Sequence, residues 1–181
     1  VLIDSDMPQG TSASWCSIRR TTDQAGDLIT DTARDHQDLI GKTERYAKTA
    51  QYIVLDGPPR IAEMTRAILM LSDVCLLPVA ASVAEIWATS DVLAIIEQAR
   101  QVRPVDVRLV WTRHRAHTTL ARELGDQVKA ELPLPRLKTQ LGLRVAYVEA
   151  LGAGLTVAET ADPAAREELH QLMAEIGRIL R

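Results

Sequence analysis

Phenylalanine is absent from the 181 residues, and aromatic side chains together make up only 3% of them. A core must therefore be built from Leu, Ile, Val and Ala, as parallel sheets covered by helices often are. Stacking of aromatic rings on nucleic-acid bases is correspondingly not expected. Cysteine is scarce as well: Cys16 and Cys75 are the only two, which excludes a disulfide framework. No run of about 18 uncharged apolar residues occurs, and the first residues lack a basic stretch followed by an apolar one. Neither a spanning helix nor a signal peptide is expected, and a reducing cytosol is the default compartment. What remains is ordinary for one soluble globular domain, with 46% hydrophobic and 25% charged residues, so disorder and collagen-like structure are excluded. A chain of this length buries roughly 70% of the surface it exposes when unfolded.

The net charge of −3 is unevenly spread. Between Arg100 and Arg144 there are ten Lys+Arg against four acids (Asp106, Glu123, Asp126, Glu131), a local balance of +6 that leaves −9 for the rest. One face could attract polyanions, or the charges could form a solvated face.

Four short apolar runs recur, at Val1 to Asp4, Tyr52 to Asp56, Val74 to Val79 and Val107 to Thr112. Each is nearly continuous in polarity, the pattern of strands buried on both faces. Segments with helical spacing lie between and after them, at about 33–50, 60–71, 84–102, 116–131, 140–151 and 163–181. Alternating strand and helix predicts an α/β fold with a mostly parallel sheet flanked by helices, within a single domain spanning 1–181. The last helix has Asp162 at its N-cap, Pro163 at its first position, and Leu169, Leu172, Met173, Ile176 and Ile179 on a stripe that should pack on the sheet. Its four acids against three bases do not suit a membrane surface. Because Val1 starts in mid-strand, with no turn or cap before it, an upstream part is expected.

In an open parallel sheet, ligands bind beyond the carboxyl ends of the strands. There the chain reads Asp4-Ser5-Asp6-Met7-Pro8-Gln9-Gly10 after the first apolar run, Asp56-Gly57-Pro58-Pro59-Arg60 after the second and Thr112-Arg113 after the fourth. Three carboxylates thus gather on one edge. An acid ending a hydrophobic strand, as Asp56 does, can anchor a hydrated magnesium ion in phosphate-transfer chemistry, or it can cap the next helix. Asp4 and Asp6 favour the former.

The run from Val1 to Gly10 resembles the Asp-x-Asp-Pro-Gln segment that follows the phosphate loop in the ParA/MinD group of ATPases. Tyr52 to Arg60 resembles their Walker B strand with its diproline turn. Leu76-Leu-Pro-Val79 with Ile86-Trp-Ala-Thr89, and Arg144-Val-Ala-Tyr-Val-Glu-Ala150 followed by Gly154-Leu-Thr-Val157, resemble ParA-type partition ATPases in order and spacing. The resemblance implies a P-loop NTPase-like fold lacking its first βα unit. It implies a cytoplasmic, nucleoid-associated ATPase that forms a homodimer with ATP, binds DNA non-specifically and responds to a cargo-bound partition partner, with no membrane anchor. On this resemblance Asp56 would orient the waters of Mg2+, Asp6 would position the attacking water, and Asp4 would help hold the phosphate-loop lysine. Thr112, Arg113 and Pro58 would contact the nucleotide, Thr112 with one hydroxyl where the family often has the amide of Asn.

Two features depart from the family pattern. The Lys-Gly-Gly-x-Gly-Lys-Thr loop is not among the 181 residues; Gly41-Lys42-Thr43 does not supply it, because His36 stands where a Walker A loop requires Gly and the tripeptide lies within an expected helix. These residues alone are therefore not expected to hydrolyse ATP appreciably. Met7 is an extra residue between Asp6 and Pro8-Gln9 that could displace Asp6. Among other residues, His114 and His117 lack further ligands for a metal and read as a solvated helix start. Cys75 reads as a small buried hydrophobe, and Trp87 as core or interface. The rival reading is a degenerate, non-catalytic module of the same fold that binds DNA or a protein partner.

Overall fold

The computed structural model describes residues 1–22, 26–59, 62–80, 82–114, 127–128 and 130–181. They form two compact units, Val1–Ser72 with Leu151–Leu155, and Asp73–Ala150 with Thr156–Arg181.

The first unit is built on a three-stranded parallel sheet of order β2-β1-β3, with β1 at Leu2–Asp4, β2 at Thr30–Thr32 and β3 at Val54–Asp56. Register pairs Asp4 with Thr32 on one side and with Asp56 on the other. Helices α1 (Thr11–Arg20), α2 (His36–Tyr46) and α3 (Ala62–Leu71) accompany it. Its core is aliphatic, with Ile3, Ala33, Leu39, Met64 and Ala67 buried together. The expectation that the second apolar run is buried on both faces fails: β3 lies at the edge of its sheet, and Val54 is 58% exposed.

Helix α2 begins where Asp35 accepts a hydrogen bond from the Asp38 amide, an N-cap that offsets one orphan donor of the first turn. The Gly41-Lys42-Thr43 tripeptide sits inside this helix. Thr43 donates its hydroxyl to the Leu39 carbonyl, and Lys42 Nζ reaches the Thr32 carbonyl, Asp31 (3.3 Å) and Asp38 (3.1 Å). The lysine ties α2 to β2. Burial opposes its charge, but the bonds to Asp38 and Asp31 outweigh that and raise its pKa.

Neither α1 nor β2 is expected from the apolar periodicity. The sequence of α1 is dominated by Thr, Ser and Arg, and Cys16 is its one buried residue; β2 is Thr-Asp-Thr, with no apolar signal. Their partners, distant in sequence, create both elements.

In the second unit the sheet is again parallel, of order β4-β5-β6, with β4 at Cys75–Ala80, β5 at Val107–His114 and β6 at Arg136–Gly142. Helices α4 (Val83–Arg100), α5 (Val145–Gly152) and α6 (Pro163–Ile179) follow the chain. Val79, Ile86, Leu109, Trp111, Val128 and Leu132 form the core. The expected helix at 140–151 is corrected: its first residues complete β6, where buried Leu137 and Thr139 alternate with exposed Arg136 and Lys138, and helix begins only at Val145. Most of the expected helix at 116–131, with His117, lies outside the described residues. His114 closes β5 rather than opening a helix, its ring 6.4 Å from that of Trp111. Trp87 is 61% exposed and so is not core, while burial pushes the Cys75 thiol up, away from reactivity.

Helix α6 starts as expected, with the Asp162 carboxylate accepting from the amides of Ala164 and Ala165. Met173, however, points to solvent, leaving Leu169, Leu172, Ile176 and Ile179 as the half-buried stripe. Two carboxylates fasten α6 to β6. Glu168 accepts from the Gly142 amide (3.0 Å), from Arg144 (2.7 and 3.0 Å) and from the Tyr147 hydroxyl (3.0 Å). Glu175 accepts from the amides of Lys138 and Thr139 and from the Thr139 hydroxyl. Pairing of β6 with β5 is irregular over this stretch, and a bulge frees backbone N–H groups that need another acceptor. Among the described residues, no helix is long and apolar enough to cross a membrane.

Candidate functional site

Strands β1 and β3 end side by side, so their last residues, Asp4 and Asp56, are register partners on the same face of the sheet. After β1 the chain reverses through Ser5 to Gly10 and enters α1. Gly10 adopts a left-handed conformation (φ +57°) that a side chain would disfavour, and its amide donates to the Asp6 carbonyl at 2.8 Å. The extra Met7 is accommodated in the exposed part of this turn, before a cis Met7–Pro8 peptide.

The turn is fixed by Asp4, which is 1% exposed. One of its oxygens accepts from the Asp6 amide at 3.0 Å and the other from the Ala13 amide at 2.8 Å. Ala13 lies in the first turn of α1, whose own N-cap residue, Gly10, has no side chain to offer. A carboxylate from the neighbouring strand thus does the work of an N-cap and faces the positive end of the helix.

Asp56 is held at two levels. Its backbone carbonyl accepts from both the amide (2.8 Å) and the hydroxyl (2.6 Å) of buried Ser5, which pins the end of β3. Its carboxylate Oδ2 accepts the hydroxyl of Ser12 at 2.6 Å. Burial pushes its pKa up, the Ser12 hydroxyl pulls it down, and the charges of Asp4 and Asp6 push it up again, for a net rise. No Lys or Arg among the described residues is paired with this carboxylate. Among the described residues the Asp56 carboxylate caps no helix: its Oδ2 accepts from the side chain of Ser12 in α1.

The donor set suits a hard, hydrated cation. Among the described residues no three His, Cys, Asp or Glu side chains are grouped as a direct metal cage, but magnesium keeps most of its waters and needs only one or two carboxylates beside substrate phosphates. Asp56 would hold it, since Ser12 fixes one of its oxygens and, among the described residues, no cation is paired with its half-buried negative charge.

Pro58 is buried in the turn after β3. Thr112 and Arg113 lie near the end of β5 in the second unit, where Arg113 has φ +50°, an uncommon conformation for a residue with a side chain, and its guanidinium is 3.9 Å from Glu85. Asp4, Asp6, Asp56 and Pro58 lie in one unit, and Thr112 and Arg113 lie in the other. Ser5 and Ser12 were not legible as site residues. The signal for Ser12 was its place just past Pro8-Gln9-Gly10, where a helix can begin.

Parallel strands alternating with helices, in two three-stranded sheets, give a fold of the kind seen in MinD/ParA-type proteins. The comparisons bear out the resemblance read from the sequence. Maintenance of carboxysome distribution protein A from Halothiobacillus neapolitanus is 25% identical over 179 residues, covering 97% of this chain and 81% of its own length. The fold is similar to that of the MinD cell division protein of Aquifex aeolicus (TM-score 0.69, 14% identity, 97% of this chain and 83% of that one). It is also similar to a Cyanothece McdA variant in complex with ATP (TM-score 0.62, 13% identity, 97% and 95%). A plasmid partition protein of Borrelia burgdorferi bound to AMPPNP matches with a TM-score of 0.63 and 14% identity, over 98% and 86% of the two chains. No protein-family model matches the chain.

Proposed function

We propose that this chain is the larger part of a ParA-like ATPase that uses ATP and Mg2+ to form a dimer, binds DNA non-specifically in that state, and is stimulated to hydrolyse ATP by a partner carried on its cargo. The observation that carries the reading is the carboxylate edge: Asp56, oriented by Ser5 and Ser12, beside Asp4 and Asp6 at the mouth of the β1–α1 turn. When bound, Mg2+ would offset charge on the phosphates. In this reading Asp56 anchors its waters, Asp6 stands ready to orient the attacking water, and Asp4, with both oxygens on backbone amides, shapes the turn rather than reacting. Thr112 and Arg113, with Pro58, would meet the nucleotide. The cationic phosphate loop is required as well, and the resemblance puts it ahead of β1. The relatives support cargo positioning without choosing between DNA and another cargo, since one is named for carboxysome distribution and another for plasmid partition.

For DNA the basic stretch narrows. Arg100 is paired with Glu97, Arg108 with Asp106 and Arg144 with Glu168, so their charge is already partly committed. Arg136 and Lys138 project from β6 into solvent and are the described residues best placed to meet phosphates.

The test is the protein expressed with the codons that precede Val1, titrated with duplex DNA with and without ATP and Mg2+ over a range of salt. The reading expects ATP-dependent, sequence-independent binding, with a log–log salt slope that flattens by about 0.9 for each phosphate contact removed in the double variant Arg136→Ala/Lys138→Ala. Binding indifferent to ATP, or an Asp56→Ala variant with undiminished Mg2+-dependent turnover, refutes it.

A further inference from the structure

From the geometry of the β1–α1 turn we infer that Ser12 is a positioning residue for Asp56, holding one carboxylate oxygen so that the other is presented to a metal-bound water. The inference rests on the reading of Asp56 as the magnesium anchor and adds to it a residue that the sequence pattern did not indicate.

Three observations carry it. The Ser12 Oγ–Asp56 Oδ2 contact is 2.6 Å, a short hydrogen bond of the charge-assisted kind, with the hydroxyl donating. It joins residues 44 positions apart, so it is not a local turn contact. The helix that delivers Ser12 is itself seated by Asp4 through the Ala13 amide, while Ser5 clamps the Asp56 backbone. Both ends of the bond are thus fixed from β1. Oδ1 of Asp56 has no protein donor among the described residues, so fixing Oδ2 removes the rotation that would otherwise exchange the two oxygens. Partners of this outer kind typically change metal affinity by 10–100-fold when removed.

A purely structural role makes a different forecast. Ser12 is not the N-cap of α1, and a stabilising contact alone would lower the melting temperature and leave metal affinity intact for protein kept well below melting. The experiment titrates the protein expressed with the codons that precede Val1, saturated with a non-hydrolysable ATP analogue, with Mn2+ as the probe, reading free Mn2+ by electron paramagnetic resonance, for the parent and for Ser12→Ala, Ser12→Thr and Asp56→Asn. The inference expects about tenfold weaker binding in Ser12→Ala, recovery to within about twofold in Ser12→Thr, which restores the hydroxyl, and loss of the site in Asp56→Asn. Ser12→Ala binding Mn2+ as the parent does, while Asp56→Asn loses it, overturns the role of Ser12 and leaves the anchor standing. Asp56→Asn binding as the parent does, or a parent with no Mn2+ site at all, overturns the anchor and the inference with it.

Discussion

Replacing Asp56 by Asn should make the protein more stable at neutral pH while removing its proposed metal anchor. Asn keeps the shape and an oxygen to accept the Ser12 hydroxyl, but it carries no charge. Asp4 and Asp56 are register partners on adjacent strands, and the spacing of neighbouring strands puts their side chains about 5 Å apart. Two full charges at that distance repel by roughly 3 kcal/mol at an effective dielectric constant of about 20. Part of this is offset, because Asp4 shares its charge with two backbone amides and because the Ser12 bond weakens by about 1 kcal/mol when its acceptor becomes neutral. A net gain of about 1 kcal/mol remains, or about 2–4 °C in melting temperature for a chain of this size. The pH dependence separates this cause from others. Burial, with the neighbouring acids, raises the native pKa of Asp56 above its unfolded value, so the parent is penalised only where Asp56 is ionised in the native state. The advantage of Asp56→Asn should be full at neutral pH, shrink as pH falls through the native pKa, and vanish below the ordinary carboxylate range. Thermal unfolding followed by circular dichroism between pH 3 and pH 8 measures it. A variant that is less stable than the parent at pH 7, or whose advantage does not change with pH, would falsify the account of an uncompensated carboxylate edge.

Other parts of the molecule make separate forecasts. Glu168→Gln leaves Arg144 without its counter-ion and sets a donor where the Gly142 amide, Arg144 and Tyr147 all donate; a loss of about 2 kcal/mol in urea unfolding is expected, and an unchanged midpoint refutes the latch between α6 and β6. Gly154→Ala should cost about 2–3 kcal/mol, since Gly154 has φ +68° and an added Cβ would stand 2.7 Å from the Arg19 backbone nitrogen and 2.9 Å from Ile18; a variant as stable as the parent would show that this loop can move away from α1. Burial works against ionisation of Asp31, Glu168 and Glu175, but hydrogen bonds to their charged forms outweigh it, and bonds to the Arg34 amide and Lys42 likewise favour ionised Asp38; all four have lowered native pKa values. Their stabilisation is therefore complete above the ordinary carboxylate values and lost as pH falls through the native ones, and the Asp31 and Asp38 share of that acid dependence should be reduced in Lys42→Met. The same Lys42→Met variant should leave nucleotide binding untouched, because Lys42 belongs to the α2–β2 tie; weaker ATP binding, measured in protein that remains folded, would return the tripeptide to the list of phosphate ligands.

The sequence by itself determined the apolar runs that became β1, β3, β4 and β5, the alternation that makes both sheets parallel, and the acids at the ends of β1 and β3. These are properties of single segments: a buried strand must be apolar along its length, and the residue that leaves it is the first free to be charged. The start of α6 was legible for the same reason, because Asp162 and Pro163 act on the amides next to them. Tertiary structure alone decided α1, β2 and the conversion of 136–142 from expected loop and helix into β6. In each case the partner that satisfies the backbone is remote: Asp4 caps α1 across the turn, β1 supplies a ladder for Thr-Asp-Thr at β2, and Glu175 and Glu168 take the amides that the irregular edge of β6 leaves over. The same holds at the site. Asp56 could be picked out as an acid after an apolar strand, but the hydroxyl that orients it comes from a helix with little apolar signal of its own, and that contact exists only because Asp4, buried beside Asp56, draws the helix N-terminus to the end of the sheet.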